Sequence, residues 1–301
     1  TDATWALATI SAASAIVGYG AVGWLGRRTV GYAPVILLSP PRTRAKTTAR
    51  RRVFDVALVT LAILVVWQVS MDLAGLNRFF AKRPGDILMF LMEAANRETL
   101  FLAMAETLTF VLPGYFAGLL LGAGLAAAFT LAPTLAAAVM PVAVALRSVP
   151  IITTAPLLLL AFGRGAAGTI VVVAVMIFFP TLVACLHGLR QTPGQIAELF
   201  AIYGAGRWRL LMSAQIPAML PAFFAAARMA VPAALLAVTT AEWLATGKGV
   251  GVLMALTAST SNYNMLWSCV VLLCVTSAVA YALVAWCERA VLSRYASEQV
   301  T

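Results

Sequence analysis

The chain has 301 residues, of which 62% are hydrophobic and 11% are charged, and its formal net charge is +10. Soluble domains carry about 25% charged residues and about 45–50% apolar ones. This composition excludes an ordinary soluble domain and predicts an all-α polytopic membrane protein. The positive charge follows from the membrane topology described below, so no nucleic-acid partner is predicted.

Seven apolar segments follow one another along the chain. A helix needs about 20 residues to cross the hydrocarbon core, and the segments are residues 3–24, 53–74, 106–130, 133–163, 168–187, 217–241 and 265–287. We interpret residues 1–26 as an extra N-terminal helix, residues 53–290 as the transmembrane domain, and residues 291–301 as a tail. Three interpretations of the first helix stay open: a signal anchor, a lipid-facing helix, or the remnant of a preceding half of a longer chain.

The linker at residues 27–52 is strongly basic, with eight Lys and Arg residues and no acid. The positive-inside rule places this linker in the cytoplasm. Alternation along the chain then places residues 188–216 and the C-terminal tail inside, and residues 242–264 outside. Fourteen of the 21 Lys and Arg residues fall in segments assigned to the inside and six in segments assigned to the outside, which supports the orientation.

The apolar segment at 133–163 is too long and too interrupted for one straight crossing. Proline breaks helical hydrogen bonding and arginine is costly in mid-bilayer, and the segment contains Pro141, Arg147, Pro150 and Pro156. We expect a helix over 133–147 near the cytoplasmic face, then a turn and a crossing through 150–163. A re-entrant arrangement is the alternative.

Gly114, Gly118 and Gly122 recur at every fourth residue of the segment 106–130. Small residues on one face of a membrane helix allow another helix to approach closely. We expect this face to be a helix-packing seam. A role in lining a translocation path is the alternative.

A polar and basic stretch at residues 191–221 lies between two apolar segments. Thr192 is expected to cap a helix that begins at Pro193, with Gln195 completing a capping box. Gly204 is expected to end that helix in a left-handed conformation.

A second short helix is expected from Arg207 to Gln215, with the next span beginning at Pro217 and Pro221. Two short helices that are joined by a glycine turn and held between membrane spans form a lever. A force applied to the lever is transmitted to the spans on both sides.

Two charged residues stand out in or near the spans. Arg228 lies about 16 Å along its helix from Pro217, where a guanidinium needs a partner or water. It is either an anchor to carbonyls or a carboxylate, or part of an anion-friendly pathway. Glu242 lies about 21 Å further along the same axis, so the two cannot pair within one straight helix. It opens the external segment 242–264, which is either a gate or protein contact, or an ordinary solvated loop.

The chemistry of an enzyme or a metal site is missing from the sequence. His187 and the cysteines lie in or at the ends of apolar segments without metal-ligand spacing: Cys185, Cys269, Cys274 and Cys287. We therefore predict no metal, no cofactor and no enzymatic activity. The sequence also lacks a phosphate-binding loop, because Gly247-Lys248-Gly249 has neither the leading glycine nor the hydroxyl residue. An ATP-driven protein of this kind needs another chain to bind the nucleotide.

The lever segment resembles the EAA loop of ABC-importer permeases. In that loop an acid is followed six residues later by glycine and thirteen residues after that by proline, as Glu198, Gly204 and Pro217 are here. The run after the glycine is also similar. Leu199 and Phe200 replace the two usual alanines. The resemblance implies that one set of residues couples the chain to an ATPase: Glu198, Leu199, Phe200, Gly204, Ala205, Arg207, Trp208 and Pro217.

Within that class the chain is most similar to the sulfonate, taurine and nitrate permeases. Pro150 and Pro156 stand in a stretch that resembles the group's proline-bearing third core helix, and Glu242 in one that resembles its fifth core helix and external loop. The resemblance implies a type I transmembrane domain in the cell inner membrane, with six core spans beside the extra N-terminal one and a cytoplasmic C-terminus. The implied partners are two ABC ATPase subunits, a second permease copy and an external (periplasmic or lipoprotein) solute-binding protein.

The predicted function is therefore that of the permease subunit of an ATP-driven importer for a small solute such as a sulfonate, taurine or nitrate. Arg228, Glu242, Pro150 and Pro156 are the candidate pathway or gate residues. The alternative is a secondary transporter or channel driven by an ion gradient. That class usually shows inverted repeats or several ionisable residues at the membrane midplane.

Overall fold

The computed structural model describes residues 49–148 and 151–295, with the side chains of residues 54, 57–140 and 154–293 among them. The expected N-terminal helix, most of the basic linker and the end of the tail lie outside the described residues. Every described element is helical. In chain order these are α1 (Ala49–Leu73), α2 (Pro84–Met92), α3 (Ala94–Leu131), α4 (Pro133–Ser148), α5 (Ile151–Phe162), α6 (Ala166–Arg190), α7 (Gly194–Ile202), α8 (Arg207–Leu210), a π-helical turn (Leu211–Gln215), α9 (Ile216–Ala241), a second π-helical turn (Glu242–Thr246), α10 (Val250–Ser259) and α11 (Tyr263–Tyr295).

The centre of the fold is a seam between α3 and α6. The three glycines of α3 lie directly against α6, and a Cβ atom added to Gly118 would stand 2.8 Å from the backbone oxygen of Ala174. Glycine is required here because only a bare Cα lets the two backbones come this close. The positions pair in the same direction along both helices, which are therefore parallel: 114 with 173, 118 with 177 and 122 with 181.

Helix α9 closes this core as a third, largely buried element. Its buried face packs with the N-terminal half of the α3–α6 seam through a cluster that includes Val231, Val238 and Val111. The hydroxyl of Tyr115 donates a hydrogen bond of 2.8 Å to the backbone oxygen of Ala227. A buried tyrosine hydroxyl needs such an acceptor, and this bond ties α3 to the middle of α9.

The described part of the chain contains four helical segments that are long and apolar enough to cross a membrane. They are α3, α6, the continuous stretch Arg207–Thr246 and Tyr263–Ser293 of α11. The apolar part of α1, Ala57–Leu73, is slightly shorter. The prediction of a polytopic all-α membrane protein is confirmed, and the number of spans stays a prediction.

Two features of the proline-bearing segments differ from those expected. A separate short helix over Arg207–Gln215 was expected before a span beginning at Pro217; helix α9 does begin at Ile216, but it continues from α8 without a break, so one helical stretch of 40 residues runs from Arg207 to Thr246. The π-helical turn at Leu211–Gln215 ends two residues before Pro217 and spaces the hydrogen bonds more widely there. Pro156 does not break the helix either but lies inside α5. Pro150 lies outside the described residues.

The sequence also predicts an external loop at 242–264, and this prediction is wrong for most of the segment. The structure has the second π-helical turn, a short joint at residues 247–249, and then helix α10. Helix α10 is apolar but has only 10 residues, about half the number needed to cross a bilayer. It packs with α3 and α11 around a buried cluster of Leu100, Met104, Val250, Met265 and Cys269.

Candidate functional site

Helix α7, between the long helices α6 and α9, is an exposed apolar element. None of its residues is buried, and Ile202 and the adjoining Tyr203 are 80% and 81% exposed. Leu199 is half-exposed, and Glu198 also faces outward. Large apolar side chains at the end of a polar loop are costly to leave in water, so this surface is suited to contact another protein.

The start of α7 differs from the expected capping box. The N-cap is Pro193 and no side chain caps the helix. The Thr192 hydroxyl instead donates a 3.3 Å hydrogen bond to the backbone oxygen of Leu189, at the end of α6. The capping-box prediction is wrong because the last turn of α6 also offers free carbonyl groups, and Thr192 satisfies one of these.

The end of α7 has the conformation expected from Gly204, whose φ is +65°. The Ala205 amide donates to the oxygen of Phe200 at 2.9 Å, and the Gly204 amide donates to the oxygen of Ala201 at 3.0 Å. This pair of bonds is a Schellman motif, which reverses the chain after a helix. A Cβ atom at position 204 would meet no other atom within 4 Å, so the requirement for glycine comes from the backbone conformation alone.

The chain then returns to the membrane core through α8. Arg207 and Trp208 are exposed, and the Trp208 side chain is 61% exposed. Three residues later Leu211 is fully buried, in a cluster with Leu182, Leu189 and Met219. The exposed residues of this segment are thus joined within one helical turn to the buried ends of α6 and α9. Pro217 is half-buried beside that cluster.

Arg228 forms an ion pair that the sequence analysis did not identify. Its Nη1 lies 2.6 Å from Oε2 of Glu288 on α11, and the two side chains are 29% and 13% exposed. The guanidinium also lies over the ring of Tyr281, 5.9 Å from its centroid. Two roles were predicted for Arg228, an anchor and a part of an anion-friendly pathway, and the ion pair with Glu288 is an anchor to a carboxylate. The signal that was missed is that Glu288 follows directly on the apolar segment 265–287.

An apolar cavity lies beside this ion pair, between α3, α9 and α11. Its volume is about 350 Å³. The side chains around it include Phe116, Leu120, Phe224 and Leu283. A cavity of this composition offers few hydrogen-bonding groups to a polar solute.

Glu242 follows directly on the C-terminal end of α9, as the first residue of the second π-helical turn, and is fully buried. Its Oε2 accepts a hydrogen bond of 2.8 Å from the Gly251 amide at the start of α10. Its Oε1 has no donor among the described residues. Two neighbours on α3 complete the arrangement: Glu106 accepts from the Gly249 amide at 3.1 Å and Thr107 from the Val250 amide at 2.9 Å. Glu242 was predicted to open either a gate or protein contact or a solvated loop, and its link with Glu106 and Thr107 was not predicted, because these two residues lie 143 positions from their amide partners.

Metal ligation is not supported by the part of the chain that the structure describes. It has no group of three His, Cys, Asp or Glu residues placed to hold an ion. Its four cysteines are free, two of them buried and two exposed.

The described residues form an apolar helix bundle with four helices long enough to cross a membrane and an exposed pair of short helices, and comparison with known families gives the class of protein. Residues 118–293 match the family model of the binding-protein-dependent transport system inner membrane component. The chain belongs to this family, whose curated members include ABC transporter permeases.

Three curated relatives illustrate the range of the family. The formylaminopyrimidine transport permease protein ThiX of Halalkalibacterium halodurans is 30% identical over 195 residues, covering 64% of this chain and 77% of the relative. The riboflavin transport system permease protein RibX of Chloroflexus aurantiacus is 27% identical over 256 residues, covering 85% and 95%. The taurine transport system permease protein TauC of Escherichia coli is 26% identical over 206 residues, covering 66% and 75%.

Proposed function

We propose that this chain is the membrane-spanning subunit of an ATP-driven importer, and that a separate ATPase works it through α7 and α8. The observation that carries the proposal is the combination of an exposed apolar surface and a rigid attachment. Ile202, Tyr203 and Trp208 are each more than 60% exposed, whereas Leu211 next to them is fully buried. Such a surface offers a docking partner large side chains to bury.

The attachment gives the proposed coupling a physical route. The cluster around Leu211 joins the cytoplasmic end of α6, through Leu182 and Leu189, to the first turns of α9, through Met219. Close-packed interiors transmit displacement with little compression. Movement of α7 and α8 by an ATPase would therefore move α6 and α9 together and alternate the access of a central path.

The partners of the chain follow from the same proposal. We infer two ABC ATPase subunits, a solute-binding protein on the outer side, and a second copy of the chain, which would complete a homodimer. Along α9 and the π-helical turn after it, Met229, Leu236 and Trp243 form an exposed stripe with a spacing of seven residues. This stripe is suited to face the second copy across the path. We further propose six core spans with the extra helix before them, an inner-membrane location, and a cytoplasmic C-terminus.

For the solute we propose a neutral heterocycle of the pyrimidine or flavin type. The formylaminopyrimidine and riboflavin permeases described above are named for such solutes. The hypothesis of an anion pathway rested on Arg228, and the positive charge of this residue is already balanced by Glu288 at 2.6 Å. The second candidate is a small anion, which relatives named as bicarbonate and aliphatic sulfonates permeases favour. Uptake of labelled formylaminopyrimidine, riboflavin and an aliphatic sulfonate by one reconstituted complex separates the two candidates.

The coupling proposal is tested by co-purification with the candidate ATPase and by ATP-dependent uptake, comparing Ile202→Glu with Gln191→Glu. Both variants add a carboxylate at an exposed cytoplasmic position, but only the first lies on the proposed docking surface. Ile202→Glu is expected to lose the complex and the uptake, and Gln191→Glu to keep both. Retention of both by Ile202→Glu would contradict the proposal. Uptake without any ATPase that stops on adding a protonophore would favour the ion-gradient alternative.

A further inference from the structure

The apolar cavity between α3, α9 and α11 is a groove with a buried floor and an exposed rim. Val111, Ala227 and Val231 lie in its floor and are 5% exposed or less. Leu120 and Leu283 stand at its rim and are 69% and 59% exposed. The groove is therefore open along one side, where its rim contacts the medium that surrounds the helices.

The wall of the groove is suited to an apolar guest and not to a polar one. Its two hydroxyl groups are already engaged within the protein: that of Tyr115 donates to the backbone oxygen of Ala227 at 2.8 Å, and that of Thr276 donates to the sulfur of Met104 at 3.9 Å. The volume of about 350 Å³ lies at the lower end of the range of ligand pockets, about 300–1,000 Å³. The groove thus has room for one slender apolar chain.

The groove and the surface proposed for a second copy lie on opposite sides of α9. Successive residues of an α-helix are about 100° apart around its axis, which places Met229 and Leu236 of the exposed stripe opposite the lining residues Ala227, Val231 and Ala234. The three helices around the groove are all long and apolar enough to cross a membrane. The medium at the open side of the groove is therefore the hydrocarbon of the bilayer.

The groove extends over the depth of one leaflet. Its lining residues on α11 run from Thr276 to Cys287, about 16 Å along the helix axis. Half of the hydrocarbon core of a bilayer measures about 15 Å. The apolar run of α11 ends at Cys287, and Glu288 and Arg289 follow it. Because charged residues are costly in the hydrocarbon, this end of the groove lies at the level of the lipid headgroups.

A guanidinium stands at the same end of the groove. Arg228 follows the lining residue Ala227, its side chain is 29% exposed, and its Nη1 lies 2.6 Å from the Glu288 carboxylate. A guanidinium carries five N–H donors, so it is able to bind a phosphate oxygen beside the carboxylate. The ion pair is neutral in sum, and the neighbouring Arg289 adds a positive charge. This end of the groove therefore favours an anionic group.

We propose that the groove is a binding site for a membrane phospholipid, with one acyl chain along the apolar wall and the phosphate against Arg228. Four features of the groove match this ligand: an apolar wall, the depth of one leaflet, an opening toward hydrocarbon, and a guanidinium at the headgroup level. The lipid bridges α3, α9 and α11 on the side of α9 that faces away from the exposed stripe. The inference does not depend on the importer function, because the lipid binds whether or not solute is transported.

Photolabelling of the wild type is the first test. The full chain, with the subunits that co-purify, is placed in nanodiscs of phosphatidylglycerol that carries a diazirine in its acyl chain. Bulk lipid is washed away with detergent before illumination. We expect adducts at Leu283 on the rim and few at Val279, which is similarly exposed, 54%, but does not line the groove. Equal labelling of the two positions, or no labelling, overturns the proposal.

A pair of matched variants on α11 is the second test. Ala280 lines the groove, whereas Ala282 is exposed and lies on another face of the same helix. Native mass spectrometry counts the phospholipids that each washed protein retains. The wild type and Ala282→Phe are expected to keep about one per chain, the capacity of a pocket of this size, and Ala280→Phe to lose it, because the ring occupies the groove. Equal retention by the two variants contradicts the site. Should Ala280→Phe fail to fold, the photolabelling of the wild type decides alone.

The phosphate contact is tested with the double variant Arg228→Gln/Glu288→Gln, which leaves the net charge unchanged. Its affinity for phosphatidylglycerol is expected to fall about tenfold, the effect of losing one hydrogen bond to a charged group. An unchanged affinity overturns the contact with Arg228. A photoreactive residue at position 283 separates the lipid from a protein occupant. It is expected to join to phospholipid, and joining to a second copy of the chain would make the groove an interface between copies and overturn the lipid site.

Discussion

The two ends of the helical stretch Arg207–Thr246 are built in opposite ways. At the N-terminal end, α7 and α8 expose apolar side chains, and the buried residue Leu211 follows them directly. At the C-terminal end, Glu242 is buried and α10 is fastened by three side chains of two other elements. The exposed end is suited to bind a partner that comes and goes. The buried end is suited to pass a movement on within the molecule.

The largest effect, loss of the complex with the ATPase, is expected from Gly204→Val, which disrupts the turn between α7 and α8. A residue with a Cβ atom in the left-handed region costs about 1–2 kcal/mol, and a β-branched one costs more, so the turn after α7 should rearrange and the ATPase complex should be lost. Gly206→Ala is the control, since Gly206 is also exposed but has a φ of −67° that any residue adopts. Co-purification with the ATPase measures the difference. An intact complex with Gly204→Val would show that the turn is not part of the docking surface.

A second change, Gly251→Ala, acts at the buried end. The new methyl group collides with the backbone of Thr239, and overpacking of this kind costs about 1–3 kcal/mol. Thermal unfolding in detergent should occur at a lower temperature than for the wild type, while binding of the ATPase stays unchanged. Gly124→Ala on α3 is the control, because a Cβ atom there meets nothing within 4 Å. Equal unfolding temperatures for the two variants would contradict the close packing of α10 on α9.

The middle of the stretch is tested with the ion pair of Arg228 and Glu288. Removing either partner leaves the other charge partly buried, and a hydrogen bond to a charged group contributes about 1.5–3 kcal/mol. Arg228→Leu should therefore lower stability more than the double variant Arg228→Leu/Glu288→Leu does. The free energy of unfolding in detergent gives the comparison. Solute import per ATP by the double variant also tests the anion pathway, because that pathway needs the guanidinium.

The smallest effect on stability and uptake is expected from Asp72→Asn, which lies outside the helical stretch Arg207–Thr246. Asp72, near the end of α1, forms an ion pair with Arg83; the Asp72 side chain is 47% exposed and the Arg83 side chain 12%. Asparagine keeps an acceptor oxygen for the guanidinium, and a pair that water reaches from one side contributes about 1 kcal/mol or less. The unfolding temperature and the uptake should stay close to those of the wild type. A large loss of uptake would show that the outer surface near α1 takes part in transport.

The sequence predicted the features that depend on neighbouring residues. The left-handed Gly204, the close approach of Gly118 to another helix, and the apolar helices are all set by local chemistry, and the structure has them. The helix start at Thr192 was predicted wrongly because the hydroxyl bonds backward to Leu189. Local pattern alone does not decide between two free helix ends that compete for one side chain.

Contacts between distant parts of the chain could not be predicted from a single sequence. Glu106 and Thr107 lie 143 residues from the amides of Gly249 and Val250 that donate to them, and Arg228 pairs with a carboxylate 60 residues later, in α11. A buried charge indicates that a partner exists, but not which of several acids it is. For the same reason α10 was predicted to be part of a loop, since its short length and flanking glycines do not indicate the acceptors that hold it.

The central claim, that α7 is the surface on which an ATPase acts, is tested most directly by site-specific photo-cross-linking in intact membranes. A photoreactive residue at position 202, which is 80% exposed, is compared with one at position 256 on α10, which is 56% exposed. We predict that position 202 cross-links to the ATPase and that position 256 does not. Cross-linking of position 202 to lipid alone, with the ATPase captured from another surface of the chain, would contradict the account.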